Sequence, residues 1–276
     1  LILGKRKEPY VGILLKYDCG RKRDFPRIIS NPQVKSEPQK DKICVGFIGA
    51  GHFAQSYLIP NLKSLRDVRL KVVCTATGIN AKAVAEKFGF ENFTTDADAV
   101  LSDPEIDAVF IVTRHNLHAP FTIKALEAGK HVYVEKPLCI RSEKIEEVLK
   151  VYQRMIDKGE PKLLMVGFNR RFAPMTKELK EFLSDVQEPL MITYRINAGF
   201  IASDHWIHDP EEGGGRIIGE VCHFVDLIGY IVDSEPVSVY ARALPNNGRY
   251  HNDNLIVTLS FKNGSIGTIN LCGKRR

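Results

Sequence analysis

No apolar run in the chain is long enough to cross a bilayer as a helix, so no membrane partner is expected. The opening residues, Leu1-Ile2-Leu3-Gly4-Lys5-Arg6-Lys7, lack the order of a secretory signal, and a cytoplasmic location is expected. Six cysteines (Cys19, Cys44, Cys74, Cys139, Cys222, Cys272) fall at no paired spacing. This argues against a disulfide framework and a zinc knuckle and fits reduced thiols. An initiator methionine is also missing, which suggests a fragment. There is no internal repeat and no low-complexity segment, and 276 residues exceed one average domain, so two domains sharing an interface are expected.

Acid is scarce at one end only. The first 42 residues hold eleven Lys/Arg and five Asp/Glu, which accounts for the whole net charge of +6. The clusters Lys5-Arg6-Lys7 and Arg21-Lys22-Arg23 come without aromatic interleaving, so no nucleic-acid partner is expected and a solvated leader is. Within it, Tyr10 to Tyr17 reads as a strand, and Arg21 to Asp41, carrying Pro26, Pro32 and Pro38, as a linker. The expected division is a leader over 1–41, a nucleotide-binding domain over 42–160 and a substrate-binding domain over 161–276.

From Lys42 to Phe53 a β-branched, apolar run ends abruptly in glycines, the pattern of a buried strand feeding a tight turn. Gly49-Ala50-Gly51-His52-Phe53-Ala54 has the spacing of a dinucleotide-binding turn. Gly49 permits the sharp bend, Gly51 lets backbone approach a pyrophosphate, and Ala54 takes the third small position. The next helix, His52 to Leu65, aims its N–H groups at the phosphates. Strands and helices then alternate as in a parallel sheet, through strands at Arg69–Cys74, Asp107–Val112 and His131–Val134 and a helix over Glu143–Lys158 capped by Ser142. After Gly159 the pattern changes. Strands are expected at Leu163–Gly167 and Leu190–Ala198, helices at Pro174–Ser184 and Arg216–Val232, and antiparallel strands at Val237–Ala243, Asn254–Phe261 and Ser265–Leu271, with Asn263-Gly264 as a hairpin turn. The fold class is α/β: a Rossmann domain followed by an α+β domain with an open, mainly antiparallel sheet.

Ligands of open parallel sheets bind at the carboxyl ends of the strands. The glycine turn, Thr113-Arg114-His115-Asn116-Leu117-His118 and Glu135-Lys136-Pro137 converge there. Lys136, held extended by Pro137, can assist a hydroxyl that loses its proton while its carbon loses hydride; a solvated strand-end lysine is the plainer alternative. Glu220 and His223 stand three residues apart on one helix, where a histidine of near-neutral pKa suits a general base and the carboxylate would orient it or bind hydroxyls, with Asp226 next on that side. The plainer alternative is a surface charge cluster. Asp204-His205-Trp206-Ile207-His208-Asp209 has no standard metal spacing, and no metal is expected.

These pieces together resemble the glucose-fructose oxidoreductase / inositol dehydrogenase / rhizopine catabolism family of NAD(P)-dependent oxidoreductases. The carriers are the glycine turn, His118-Ala119-Pro120, Ala125 through Val132, Glu135-Lys136-Pro137, Gly167-Phe168-Asn169-Arg170-Arg171-Phe172, and Gly213-Gly214-Gly215 with His223. The resemblance implies NAD or NADP as cofactor, hydride transfer on a sugar, nucleotide-sugar or cyclitol hydroxyl, and catalysis by Lys136 and His223. On the cofactor side it implies Thr113, Asn116, His118 and Glu135, joining the turn residues and Thr75. Self-association is expected from an exposed sheet face. Four features depart from the family pattern: Gly219 stands where an aspartate is usual, the second strand ends Cys74-Thr75-Ala76-Thr77-Gly78 without an acid for a ribose hydroxyl, Arg114 replaces a proline, and the sequence stops early, so the second sheet is expected to lack its last strands. Lys82 is near enough to Thr75 to meet a 2′-phosphate. The phrase Gly215 to His223 is similar to a subgroup in which this module follows a zinc-type alcohol dehydrogenase, whose tail Leu1–Tyr17 would be. A dinucleotide-binding module that has lost catalysis is the alternative from another functional class.

Overall fold

The computed structural model describes residues 26–34, 41–245 and 252–273. The expected strand Tyr10–Tyr17 lies outside them.

The first sheet has seven strands, β1 (Ile29–Ser30), β2 (Ile43–Ile48), β3 (Val68–Cys74), β4 (Asn92–Thr94), β5 (Ala108–Ile111), β6 (His131–Val134) and β7 (Leu164–Val166), in the order β1-β4-β3-β2-β5-β6-β7. All neighbours run parallel except β1, which is antiparallel to β4. From β4 to β7 this is a doubly wound order that reverses direction between β2 and β5, where a crevice opens. Strands β2 and β3 bury both faces, and alternate residues of the central strands feed two cores. Val45 and Phe47 pack under the first two helices, α1 (Ile59–Ser64) and α2 (Gly78–Phe88), while Ile48, Val109, Ile111, Val132 and Val134 pack under α3 (Ala97–Leu101), α4 (His118–Glu127) and α5 (Ser142–Asp157). Gly46 is obligatory here: a Cβ would lie 2.7 Å from Val100. Across β2, β5 and β6 the register stacks Phe47 on Phe110 (4.9 Å) and Phe110 on Tyr133 (5.1 Å).

Three local expectations change. Part of the linker is a sheet edge: Ile29–Ser30 pair with β4, and buried Asn31 donates to the carbonyls of Ala85 and Phe90. Strand β7 bonds to β6, so the first sheet runs past the division expected at residue 160. Arg141 rather than Ser142 is the N-cap of α5, and it caps without a side-chain bond.

The second sheet holds β8 (Met191–Asn197), β9 (Pro236–Ala243), β10 (Asn254–Phe261) and β11 (Ile266–Cys272) in the order β8-β11-β10-β9. Its three later strands are antiparallel, joined at one hairpin by Gly264 with φ +86°, and β8 runs parallel to β11. One face is covered by α7 (Cys222–Val232), whose Phe224, Ile228 and Val232 meet Leu255, Val257, Leu259, Phe261, Ile269 and Leu271. The other face and the whole of β9 are open. α6 (Pro174–Phe182) links the domains on the surface. No helix among the described residues is long and apolar enough to cross a membrane.

Candidate active site

The glycine turn fits a dinucleotide on two observations. Gly49 has φ +92°, and a Cβ on it would stand 2.5 Å from the Val112 carbonyl oxygen, so the turn closes against the loop after β5. Gly51 has nothing within 4 Å of a Cβ position, which leaves its backbone open to a phosphate. His52 and Phe53 begin the helix and are exposed and half-buried, Phe53 against Tyr57 at 5.3 Å, while Ala54 is buried. Residues Ala54–Leu58 form a π-helical turn before α1.

Other expected cofactor residues sort by what they touch. Asn116 has a buried side-chain oxygen with no partner among the described residues, as a residue waiting for a ligand would. Thr75 is buried and donates to the Thr77 carbonyl, so it closes the loop after β3. Lys82 pairs with Glu86 one turn along α2 at 3.7 Å. His118, only 1% exposed, has a carbonyl at each ring nitrogen, Pro137 at 2.7 Å and Thr113 at 3.0 Å. It sits between the two loops of the crevice instead of facing it; burial lowers its pKa, and the neutral ring donates to one of these carbonyls. Thr113 is half-buried and its hydroxyl donates to the Arg114 carbonyl. Glu135 accepts from the Tyr133 hydroxyl at 2.6 Å, beneath Gly167, where a Cβ would meet both groups under 3.0 Å. Burial raises the pKa of the Glu135 carboxyl.

Lys136 reaches across the domain seam. Its ammonium donates to the Gly219 carbonyl at 2.6 Å, and its bond to Pro137 is cis. Gly219 lies in a second π-helical turn, Ile217–Val221, ahead of α7. That turn changes the expected facing of Glu220 and His223, because a wider turn rotates residues three apart off a common face. Glu220 binds Arg216 through both oxygens (3.1 and 2.8 Å), and Arg216 is wholly buried and also donates to Gly199. Glu220 therefore holds the helix entry rather than orienting His223. Asp226 is likewise taken, by Arg171 (Nε to Oδ2 2.7 Å).

His223 is half-buried against Phe168 (6.1 Å, edge-on), and its Nδ1 is buried with no partner among the described residues. Burial first, then the charges of Lys136 and Arg170, push its pKa down to about 3, well below the near-neutral value expected. It is neutral at physiological pH.

His115 escaped the sequence reading, although it lies in a stretch singled out there. Its Nδ1 meets the Gly213 carbonyl at 2.8 Å, its ring stands edge-on to Trp206 at 4.9 Å, and a Cβ on Gly219 would approach it to 3.0 Å. Burial pushes its pKa down to about 4. Arg114 joins the same seam, paired with Glu212 and lying over Trp206. An open cleft of about 710 Å³ runs beside it, lined by Arg114, Asp204, Trp206 and Glu212. No group of His, Cys, Asp and Glu able to hold a metal occurs among the described residues.

Residues 43–168 match the model of the oxidoreductase family with an NAD-binding Rossmann fold, and residues 185–274 match the GFO/IDH/MocA C-terminal domain. The chain is 32% identical to the inositol 2-dehydrogenase of Rhizobium meliloti, over 72% of this chain and 57% of that one. Among solved structures it resembles an NAD-binding protein from Listeria innocua (28% identity, TM-score 0.71, 84% of this chain and 67% of that one). It also resembles levoglucosan dehydrogenase in complex with NADH and levoglucosan (26% identity, TM-score 0.70, 83% and 66%). The chain spans between 49% and 67% of the length of four curated relatives that it matches.

Proposed function

We propose, for a chain that belongs to the GFO/IDH/MocA oxidoreductase family, that it moves hydride between a nicotinamide dinucleotide, NAD or NADP, and a hydroxyl-bearing carbon of a sugar, nucleotide-sugar or cyclitol. One observation carries the reading: Lys136, at the end of a Rossmann strand, reaches the helical turn that leads to His223, so the two domains bring both groups to one crevice. Relatives named as inositol and levoglucosan dehydrogenases support the substrate class.

When bound, the dinucleotide supplies the hydride acceptor or donor. Lys136 gives one N–H to Gly219 and keeps two for the substrate oxygen, where its charge favours the negative character that develops as the C–H bond breaks. His223 is neutral and can take the hydroxyl proton. Asn116 offers its unpartnered oxygen to the cofactor, and Gly49, Gly51 and the helix start hold the pyrophosphate. His118, buried between the loops that carry Thr113 and Lys136, and Glu135, bonded to Tyr133, serve by packing and holding those loops. Self-association through the open face of the second sheet, where Met191, Tyr240 and Ile256 are exposed, belongs to the same reading and is checked by light scattering.

The test is fluorescence titration with NADH and NADPH. Saturable binding that Gly51→Trp abolishes is expected, because the open space over Gly51 would be filled; equal binding by the variant would place the cofactor elsewhere.

A further inference from the structure

In a Rossmann sheet the strand after the glycine turn ends at the adenosine ribose, and the charge found there selects the cofactor. A carboxylate accepts from the 2′-hydroxyl of NAD and repels the 2′-phosphate of NADP, whereas an arginine favours the phosphate. Here that strand is β3. The Gly49 amide donates to the Cys74 carbonyl at 2.9 Å, which ties the glycine turn to the strand end, and the Thr75 amide donates to Thr94 at 3.2 Å. Yet the loop that follows, Thr75-Ala76-Thr77-Gly78, carries no charge. Its hydroxyls are engaged: buried Thr75 donates to the Thr77 carbonyl, and the Thr77 oxygen caps α2 by accepting from the Asn80 amide. The first turn of α2 has no acid. Lys82, the first charge along α2, pairs with Glu86 at 3.7 Å, and Asp96, two residues beyond Thr94, pairs with Arg27 at 2.6 Å. The loop is also open. Ala76, Thr77 and Gly78 are exposed, and a Cβ on Gly78 would meet only Thr95, at 4.0 Å.

We infer that the adenosine end of this site does not discriminate, so that NADH and NADPH bind alike, and that Thr75 and its exposed neighbour Ala76 are the positions that leave the choice open; the inference rests on the oxidoreductase reading above. A 2′-phosphate meets no carboxylate to repel it, and a 2′-hydroxyl has none to bond. The exposed loop lets the phosphate keep its water, so its charge carries little desolvation cost.

The test is fluorescence titration of the full chain with NADH and NADPH, repeated on T75D and A76R. The two dissociation constants of the wild-type chain are expected to agree within about fivefold. T75D is expected to weaken NADPH at least about tenfold relative to NADH by like-charge repulsion, and A76R to favour NADPH by a similar factor at low salt. Thr75 is buried, so A76D carries the same acid at an exposed position in case T75D fails to fold. A wider wild-type gap in either direction, or a ratio that none of the folded variants shifts, would overturn the inference while leaving hydride transfer standing. No saturable binding of either cofactor would overturn both readings. Equal binding of the two with no turnover of any sugar would count against hydride transfer alone.

Discussion

On the nucleotide-binding wall of the crevice, His118 has a carbonyl at each ring nitrogen, whereas on the opposite wall the buried Nδ1 of His223 has no partner among the described residues. The first wall is mostly self-satisfied: Thr75 bonds Thr77, Tyr133 bonds Glu135, His115 bonds Gly213, and Asn116 is the exception. On the second wall, satisfied and unsatisfied groups are neighbours. Among the described residues Arg171 holds Asp226 while Arg170 lies over Phe224 with no acid, and Glu220 holds Arg216 three residues before the unpartnered His223. A buried polar atom without a partner costs about 1–3 kcal/mol. The difference therefore separates groups that hold the crevice together from groups left for a ligand, and residue type alone does not.

The sharpest way to break the comparison is to remove the unsatisfied side. K136M and H223N are expected to lower kcat about 10²–10⁴-fold, the range of lost acid–base assistance, while NADH affinity and urea midpoint stay near wild type. Steady-state kinetics beside NADH titration checks this, and unchanged turnover in K136M would remove Lys136 from the chemistry. The satisfied side should fail differently. E220A strands the wholly buried Arg216 cation, which still has Asp253 at 3.8 Å, and should cost about 3 kcal/mol of stability in urea denaturation. Any loss of activity should then track the folded fraction; a fully stable E220A with low kcat would return Glu220 to a catalytic role.

A third effect is expected in pH. His115 has an unfolded-state pKa of 6.5 and a folded value of about 4, so below pH 6.5 the unfolded chain binds the extra proton first. The stability that the neutral ring contributes is complete above 6.5 and is lost as pH falls toward 4. Thermal unfolding across this range should show the drop, and H115N should make it shallower. An H115N curve parallel to wild type would mean that His115 is not buried neutral at the seam.

Much of this was legible because it is local. The glycine turn follows from residues a few positions apart, and so does the strand running into Lys136. The strand bounds at His131–Val134 and Asn254–Phe261 are those the sequence pattern predicts. Lys136 and His223 drew notice by chemistry and resemblance. What was not legible depends on distant partners. Ile29–Ser30 read as linker because two residues carry no period, and only β4 makes them a strand. His115 gave no signal beyond its place in a loop, since its partners lie near residues 206, 213 and 219.

The sequence by itself determined the βαβ order, the dinucleotide turn and the chemical types available at the crevice, because helix and strand periods and glycine's freedom act over a few residues. Only the tertiary structure decided which of those groups are spent on one another. The π-helical turn at Ile217–Val221 gives Gly219's carbonyl to Lys136, and Glu220 goes to a buried arginine. Burial then holds His223 neutral. Hydrogen bonding and desolvation are properties of who lies beside whom, and that is settled only when the two domains close on each other.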